Sequence, residues 1–427
     1  MTSYRAFMAI FLWLACHTLY CQDTAYAREV ISHLCDQSMH GRGFVRNGDH
    51  KAADYIRHQF EAIGILPFET GFFQSFPIPI NTFPGVMRVS LNKKILVPGR
   101  DFMVDPASPG LNGRFTPVFL DASDVLKGLS DTLLNSSGNK VVIVDARDLA
   151  TEKAEIKRLW NEWKNSQQLD NPYKIKALIE VTDEKLVFGS ATQLSLIPVI
   201  IVKASAYHYP VTSLEIHIKN KYIEEYKTQN VVGYVPGTAY PDSFLVYTAH
   251  YEHLGMMGKN TFFPGANDNA SGTSMMLGLA HYFSRHPQRF SVVFIGFTGE
   301  EAGLLGSGFF SDHPLISLSN VKFLVNLDLV GTGIDGITVV NTTESPDQFE
   351  MLSHLNDTGR YLVNIKKRGK ACNSDHCPFY TKGVPSFFIY TLGGIAAYHN
   401  LDDRPETLPL TAYDGLVKLL IAFGERQ

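Results

Sequence analysis

Beyond Asn230 the chain repeats one pattern: an apolar run, a short loop, an amphipathic stretch, then another apolar run. The segments "FLVYTAH", "RFSVVFIGFT", "VKFLVNLDLVG" and "PSFFIYT" are rich in β-branched and aromatic residues and read as strands. "NASGTSMMLGLAHYFSRH" sets Met276, Leu279, Ala280 and Phe283 on one helical face, and "PLTAYDGLVKLLIAFGE" closes the chain as another helix. Strands that are apolar throughout must be covered on both sides. The pattern therefore predicts an α/β fold with a central sheet and helices on both faces. In such sheets, sites form where strands end and loops begin.

Residues able to carry chemistry fall at those ends. "YTAHYEHLG" ends a strand with His250, Glu252 and His253, and "FFPGANDNASG" puts Asp268 just before a helix. "FTGEEAG" supplies Glu300 and Glu301, and "VNLDLVG" carries Asp328 inside an otherwise apolar strand. Late in the chain, "ACNSDHCPF" offers Asp375 and His376, and "AAYHNLDDRPE" offers His399, Asp402 and Asp403.

Each has an ordinary structural explanation when taken singly. Glu300 and Glu301 suit a helix N-terminus, Asp268 suits a helix cap, and His253 and His281 read as surface or satisfied core histidines. Asp328 resists that treatment. A carboxylate between Leu327 and Leu329 is expensive to bury unless it is paired or binds a metal. Taken jointly, His, Asp, Glu, Asp and His at neighbouring strand ends have the makings of a two-metal centre.

The first half of the chain is organised differently. Residues 25–67 read as helical, with Ala53, Ile56, Phe60 and Ile63 stepping by three and four and Gly64 as a stop. Residues 72–227 hold strand-like runs, of which "NKVVIVDARD" and "LIPVIIVKASAY" are the clearest, around a charged amphipathic helix, "ATEKAEIKRLWNEWKNSQQ". There are no internal repeats. The N-terminus has the layout of a signal peptide: Arg5, an apolar stretch over residues 6–15, then small or polar residues, with cleavage expected after Cys21. Export to the periplasm or the exterior follows. A lipid-attached Cys16 or Cys21 is the weaker alternative, since Trp13 and Tyr20 sit where a lipoprotein signal prefers other residues. No later segment reaches the ~20 apolar residues a membrane helix needs.

Lys+Arg 38 against Asp+Glu 42 leaves a net charge of -4 with no basic stripe, which makes nucleic acid and anionic membrane surfaces poor candidates as partners. Without the leader three cysteines remain: Cys372 and Cys377, which could pair, and Cys35, which reads as a buried thiol.

The order AH…GANDNASG…FTGEEAGLLGS…NLDLVG…SDH.PF…YH closely resembles the co-catalytic zinc exopeptidases of metallopeptidase family 28. That family includes secreted bacterial aminopeptidases and glutamate carboxypeptidases, with glutaminyl cyclases as relatives. The likeness covers residues 228–427 together with "HGRGF" and "KAADYI". It implies a mixed central sheet of zinc aminopeptidase type. Residues 22–74 and 228–427 would form the catalytic domain, and residues 75–227 an inserted, β-rich, protease-associated-like domain.

By position, the resemblance assigns one zinc to His250 and Asp328 and the other to Glu301 and His399, with Asp268 bridging. Glu300 would be the general base, acting with a metal-bound hydroxide on a peptide substrate. The charges balance: two zinc ions are matched by Asp268, Glu301, Asp328 and one hydroxide. Tyr398 matches a tyrosine that stabilises the oxyanion in some relatives, and reads equally well as an aromatic core residue. Asp403 would support the ring of His399, and His376 would belong to a pocket wall or a supporting position rather than to the metals. Glu252 departs from the pattern, because relatives usually carry aspartate there to orient the first histidine.

The implied activity is that of an exported aminopeptidase. Two alternatives compete. A glutaminyl-peptide cyclotransferase would use the same scaffold, but "GANDNASG" and the complete ligand set favour a peptidase. A non-catalytic receptor-like domain is opposed by the retention of Glu300 and all five ligands.

Overall fold

The computed structural model describes residues 22–69, 71–136 and 140–427, so the expected leader, residues 1–21, lies outside the described residues. Eight strands make the principal sheet: β1 (Phe73–Thr82), β2 (Lys221–Val235), β3 (Tyr240–His250), β4 (Phe290–Phe297), β5 (Val321–Leu327), β6 (Ile337–Val340), β7 (Ile365–Lys367) and β8 (Ser386–Thr391). Their spatial order is β1-β2-β4-β3-β5-β8-β6-β7. Strands β4, β3, β5 and β8 are mutually parallel, whereas β1, β2 and β6 join by antiparallel pairing. The sheet is mixed, and its parallel centre delivers four strand C-termini to one edge.

The period-two alternation of β4 explains why the sheet is covered on both faces. Val292 and Phe294 pack into one apolar cluster with the helices Gln22–Leu34, Gly48–Ala62, Gly272–Arg285 and Tyr413–Arg426. Val293 and Ile295 enter another, with Phe310 and Phe379 of the short helices Leu305–Asp312 and His376–Thr381. The N-terminal helical reading resolves into two helices joined by a 3-10 turn, Gln37–Arg42, and Gly64 (φ 78°) turns the chain just past Ala62.

Residues between β1 and β2 build two further sheets, of four and five strands, around their own apolar cluster. The charged amphipathic stretch there forms the helix Ala154–Leu169. Leu254, Met257 and Phe263 from the loop after β3 belong to that same cluster, and Phe188 stacks on Phe263 with ring centroids 4.7 Å apart. The two regions therefore share a core beside the sheet edge. Cys372 and Cys377 are disulfide-bonded and Cys35 is a buried free thiol.

Arg42 ties the N-terminal segment to that edge. It is fully buried and, besides a contact from Nη1 to Cys35 Sγ (3.6 Å), its partners are main-chain carbonyls: Nε donates to Tyr251 O (2.8 Å), Nη1 to Leu34 O (3.0 Å) and Pro264 O (2.6 Å), and Nη2 to Gly265 O (2.7 Å) and Asp268 O (3.4 Å). One guanidinium thus satisfies carbonyls in three separate segments, two of which lead to the strand-end residues. Arg42→Met keeps the volume and strands those acceptors, each at about 1–3 kcal/mol when buried. We expect urea unfolding to show a loss of about 3 kcal/mol or more; a loss below about 1 kcal/mol would mean that other donors replace the guanidinium.

Candidate metal centre

Strand register sets the positions of the candidate residues. His250 is the last residue of β3 and pairs with Phe297, the last of β4, while Leu327 ends β5 opposite Ile389 of β8. Glu300 and Glu301 follow β4 through Gly299, whose φ of 72° lets the extended run turn back sharply. The next helix begins only at Leu305, so the paired glutamates occupy the turn between strand and helix rather than a helix start. Asp328 lies one residue beyond β5, not inside it, because Leu329 (φ 59°) breaks the extended conformation.

Asp268 is not a helix cap. It sits in a non-helical turn (φ -111°, ψ 96°) before the helix Gly272–Arg285, and the Asp268–Asn269 peptide is cis. His399, with φ 52°, lies in the irregular segment after β8.

These residues meet in one buried space. His250 Nε2 is 3.3 Å from Asp328 Oδ1 and 3.4 Å from Asp268 Oδ1. His399 Nε2 is 2.9 Å from Glu301 Oε2 and 3.1 Å from Asp268 Oδ2. Asp268 thus turns one oxygen towards each imidazole. Ligand atoms of His250, Glu300 and Asp328 lie within 4.8 Å of one another, as do those of His253, Asp268 and Glu301. His253, which in sequence reads as an ordinary histidine, is fully buried, with Nδ1 2.9 Å from Glu301 Oε1. Its place three residues after His250, within the same strand-end loop, was the available signal.

The supporting residues differ in part from expectation. Asp403 is buried, but it accepts the main-chain N–H groups of Asn267 and Asp268 (2.8 and 3.0 Å) instead of holding the ring of His399. Its two oxygens fit the peptide turn ahead of the helix. Glu252 reaches two groups: Oε1 accepts the N–H of Glu301 at 2.9 Å, and Oε2 lies 3.5 Å from His250 Nδ1, which is itself 3.2 Å from the Glu252 carbonyl.

Sequence reasoning overlooked Ser374, whose hydroxyl donates to Asp328 Oδ2 (2.9 Å) and accepts from Asn326 Nδ2 (2.8 Å); Asn326 in turn accepts from Thr248 (2.7 Å). His376, by contrast, joins neither histidine–carboxylate group. It is buried, donates from Nε2 to Ala371 O (2.8 Å), and burial lowers its pKa to about 4, so it is neutral. Tyr398 is half exposed and stacks on the His399 ring at 3.8 Å; burial of the rest of its ring and the nearby carboxylates raise its phenol, keeping the O–H protonated.

Phe188 adds a tie from the region between β1 and β2, its N–H donating to the carbonyl of His399 (2.9 Å), and Lys185 donates to Ala396 O close by.

The electrostatics are one-sided. Glu252, Asp268, Glu300, Glu301, Asp328 and Asp375 crowd this space, and the ion pairs made by Glu252, Asp268, Glu301 and Asp328 are all with histidines. Burial raises Glu300 well above the carboxylate range; His250 opposes this, and Asp328, Asp375 and Glu301 add to it. Burial likewise pushes Asp375 up to about 7. Such a surplus of buried negative charge is the environment a divalent cation neutralises.

The donor set fits zinc in detail. Four-coordinate zinc with bonds of about 2.0–2.1 Å separates its ligand atoms by about 3.3 Å, and the four imidazole–carboxylate distances on either side of Asp268 run from 2.9 to 3.4 Å.

Similarity to known proteins points the same way. The model of peptidase family M28 matches residues 230–424. Residues 230–424 belong to peptidase family M28. Over 196 residues the chain is 32% identical to aminopeptidase YwaD of Bacillus subtilis, covering 44% of this chain and 41% of that protein. A probable zinc metalloprotease of Leptosphaeria maculans is 31% identical over 196 residues, covering 38% of this chain and 46% of the relative. The matched region thus spans less than half the length of these curated relatives.

Solved structures share the fold over nearly the whole chain. The Bacillus subtilis zinc aminopeptidase BSAP superposes with TM-score 0.70 at 22% identity, covering 94% of each chain. A peptidase M28 precursor from Shewanella amazonensis gives TM-score 0.69 at 15% identity, covering 94% of this chain and 93% of that one. The mixed α/β architecture is therefore that of zinc aminopeptidases.

Burial lowers the pKa of His399, but its hydrogen bonds to Asp268 and Glu301 outweigh burial and push it up to about 10 from 6.5. Below that pH the metal-free protein carries a proton where a cation would bind, so metal uptake must release it. Zinc affinity is expected to rise with pH between 6.5 and about 10. Calorimetry in buffers of different ionisation heat reads the released proton. An affinity independent of pH would remove His399 from the cation's surroundings.

Proposed function

We propose that this M28 protein is an exported di-zinc exopeptidase, acting as an aminopeptidase on peptide substrates. One observation carries the reading: Asp268 offers Oδ1 to the side of His250 and Asp328, and Oδ2 to the side of His399 and Glu301. A carboxylate so placed can serve two cations at once. His250 and Asp328 would hold one zinc, Glu301 and His399 the other, and Asp268 both. His399 rather than His253 is assigned to the second zinc, because its Nε2 approaches both Asp268 and Glu301 Oε2, whereas His253 approaches the opposite oxygen of Glu301.

Bound zinc supplies a Lewis acid for the scissile carbonyl and for the attacking water. The chain's own residues do the rest. Glu300, clustered with His250 and Asp328 yet left partly open, takes the proton from water and delivers it to the leaving amine. Tyr398 directs its phenol O–H at the oxyanion that develops on the former carbonyl. Asp403 fixes the N–H groups of Asn267 and Asp268, and Ser374 fixes Asp328.

We assign residues 22–74 and 228–427 to the catalytic domain and residues 75–227 to an inserted protease-associated-like domain. The insert's tie from Phe188 to His399 supports a part in shaping the substrate entrance. Export is supported by the signal-like leader and by the Cys372–Cys377 disulfide, a bond favoured in oxidising compartments. Among the described residues no helix is long and apolar enough to cross a membrane.

Chelation should abolish hydrolysis of aminoacyl substrates, and zinc should restore it without refolding, since the core is built largely away from the site. Global unfolding on chelation would make the metal structural. Assaying C-terminal and Gln-peptide substrates in parallel separates carboxypeptidase and cyclase activity from aminopeptidase activity. Glu300→Gln should lower kcat by ~10²–10⁴-fold while keeping the zinc content of the wild type. Full turnover in that variant would end the base assignment.

A further inference from the structure

His253 contributes none of the five ligands assigned above, yet it is among the most tightly enclosed side chains of the site. It is fully buried. Nδ1 lies 2.9 Å from Glu301 Oε1, and Nε2 has no hydrogen-bond partner. The ring stands at 74° to that of His399, with centroids 5.9 Å apart. Gly265 lies against its other side: a Cβ there would come within 2.4 Å of His253 Cδ2 and 2.5 Å of Cγ. The ring is therefore wedged between the Asp268 loop and Glu301, and its orientation is set by packing.

We propose that His253 is a positioning residue that makes Glu301 a one-oxygen zinc ligand. The inference rests on the two-zinc reading above. A carboxylate accepts and never donates when ionised, so the contact with Oε1 requires a hydrogen on Nδ1. That hydrogen bond occupies Oε1 and leaves Oε2, the oxygen 2.9 Å from His399 Nε2, as the atom free for metal.

The consequence concerns coordination number. Catalytic zinc takes three protein ligands and keeps a fourth position for water or substrate. Oε2 of Glu301, Nε2 of His399 and Oδ2 of Asp268 supply three. A Glu301 free to bind through both oxygens would fill the fourth and shut the substrate out. His253 thereby keeps that position open without touching substrate itself.

Two substitutions separate hydrogen-bond donation from bulk. His253→Leu removes the donor and keeps much of the volume, whereas the amide nitrogen of His253→Asn can stand where Nδ1 stands. Zinc affinities are read by chelator competition, and coordination by the visible absorption of the cobalt-substituted protein, which weakens as coordination number rises. His253→Leu is expected to bind one of its two zinc ions about 10–100-fold more weakly and to show weakened cobalt absorption. His253→Asn is expected to stay close to wild type in both.

The proposal is overturned if His253→Asn is as defective as His253→Leu, or if His253→Leu matches the wild type in affinity and spectrum. It is equally overturned if both variants hold one zinc at any concentration, which would make His253 a ligand. A wild-type protein that binds fewer than two zinc ions would instead remove the two-zinc reading on which the proposal stands.

Discussion

Buried negative charge is the constraint around which this molecule is arranged. Asp268, Glu301 and Asp328 are drawn together at a sheet edge with Glu252 and Asp375 behind them, and histidines are the partners of the first three. Like charges in a medium of low dielectric repel strongly, and no apolar packing nearby offsets that repulsion. The arrangement is consistent only with protons or metal cations among the carboxylates. The upward displacement of His399 by its hydrogen bonds to Asp268 and Glu301 expresses the same demand.

The rest of the fold serves to hold those groups in place. Four parallel strands end together, so residues far apart in sequence reach one edge without long loops. Behind them lie polar ties that are themselves buried and satisfied. Arg42 gathers carbonyls from the Tyr251 and Pro264–Gly265 segments, Asp403 takes the amides at Asp268, and a chain from Thr248 through Asn326 and Ser374 ends on Asp328. Rigid support of this kind restricts how far a ligand carboxylate can swing. The wedged ring of His253 acts on Glu301 in the same way.

The region between β1 and β2 is part of this mechanical system. It shares an apolar cluster with the loop following β3, and the N–H of Phe188 holds the carbonyl of His399. A histidine in an irregular segment with positive φ depends on such outside anchors, because no strand or helix fixes it. The position of His399 is thus decided partly by residues some two hundred positions earlier in the chain.

Much of the site was legible from residue order. Apolar strands punctuated by His250, Glu300, Glu301 and Asp328 predicted an α/β sheet with a polar edge, because side-chain burial on both faces leaves strand ends as the place for charge. The ordered motifs extended that to Asp268 and His399. Other roles depended on distance and direction, which a linear pattern does not encode. His253 looked like any histidine until packing against Gly265 turned its Nδ1 to Glu301, and Ser374 was an ordinary serine until β5 brought Asp328 to it. Asp403 stands four residues from His399 in sequence, yet its oxygens meet the amides of the Asp268 turn, because that turn presents two N–H groups in the direction the carboxylate faces. Sequence determined which chemical groups the edge would contain, since hydrophobic periodicity and ligand chemistry are local properties. Only the tertiary structure decided which of them touch, because a hydrogen bond depends on ångström-scale positions that non-local packing sets.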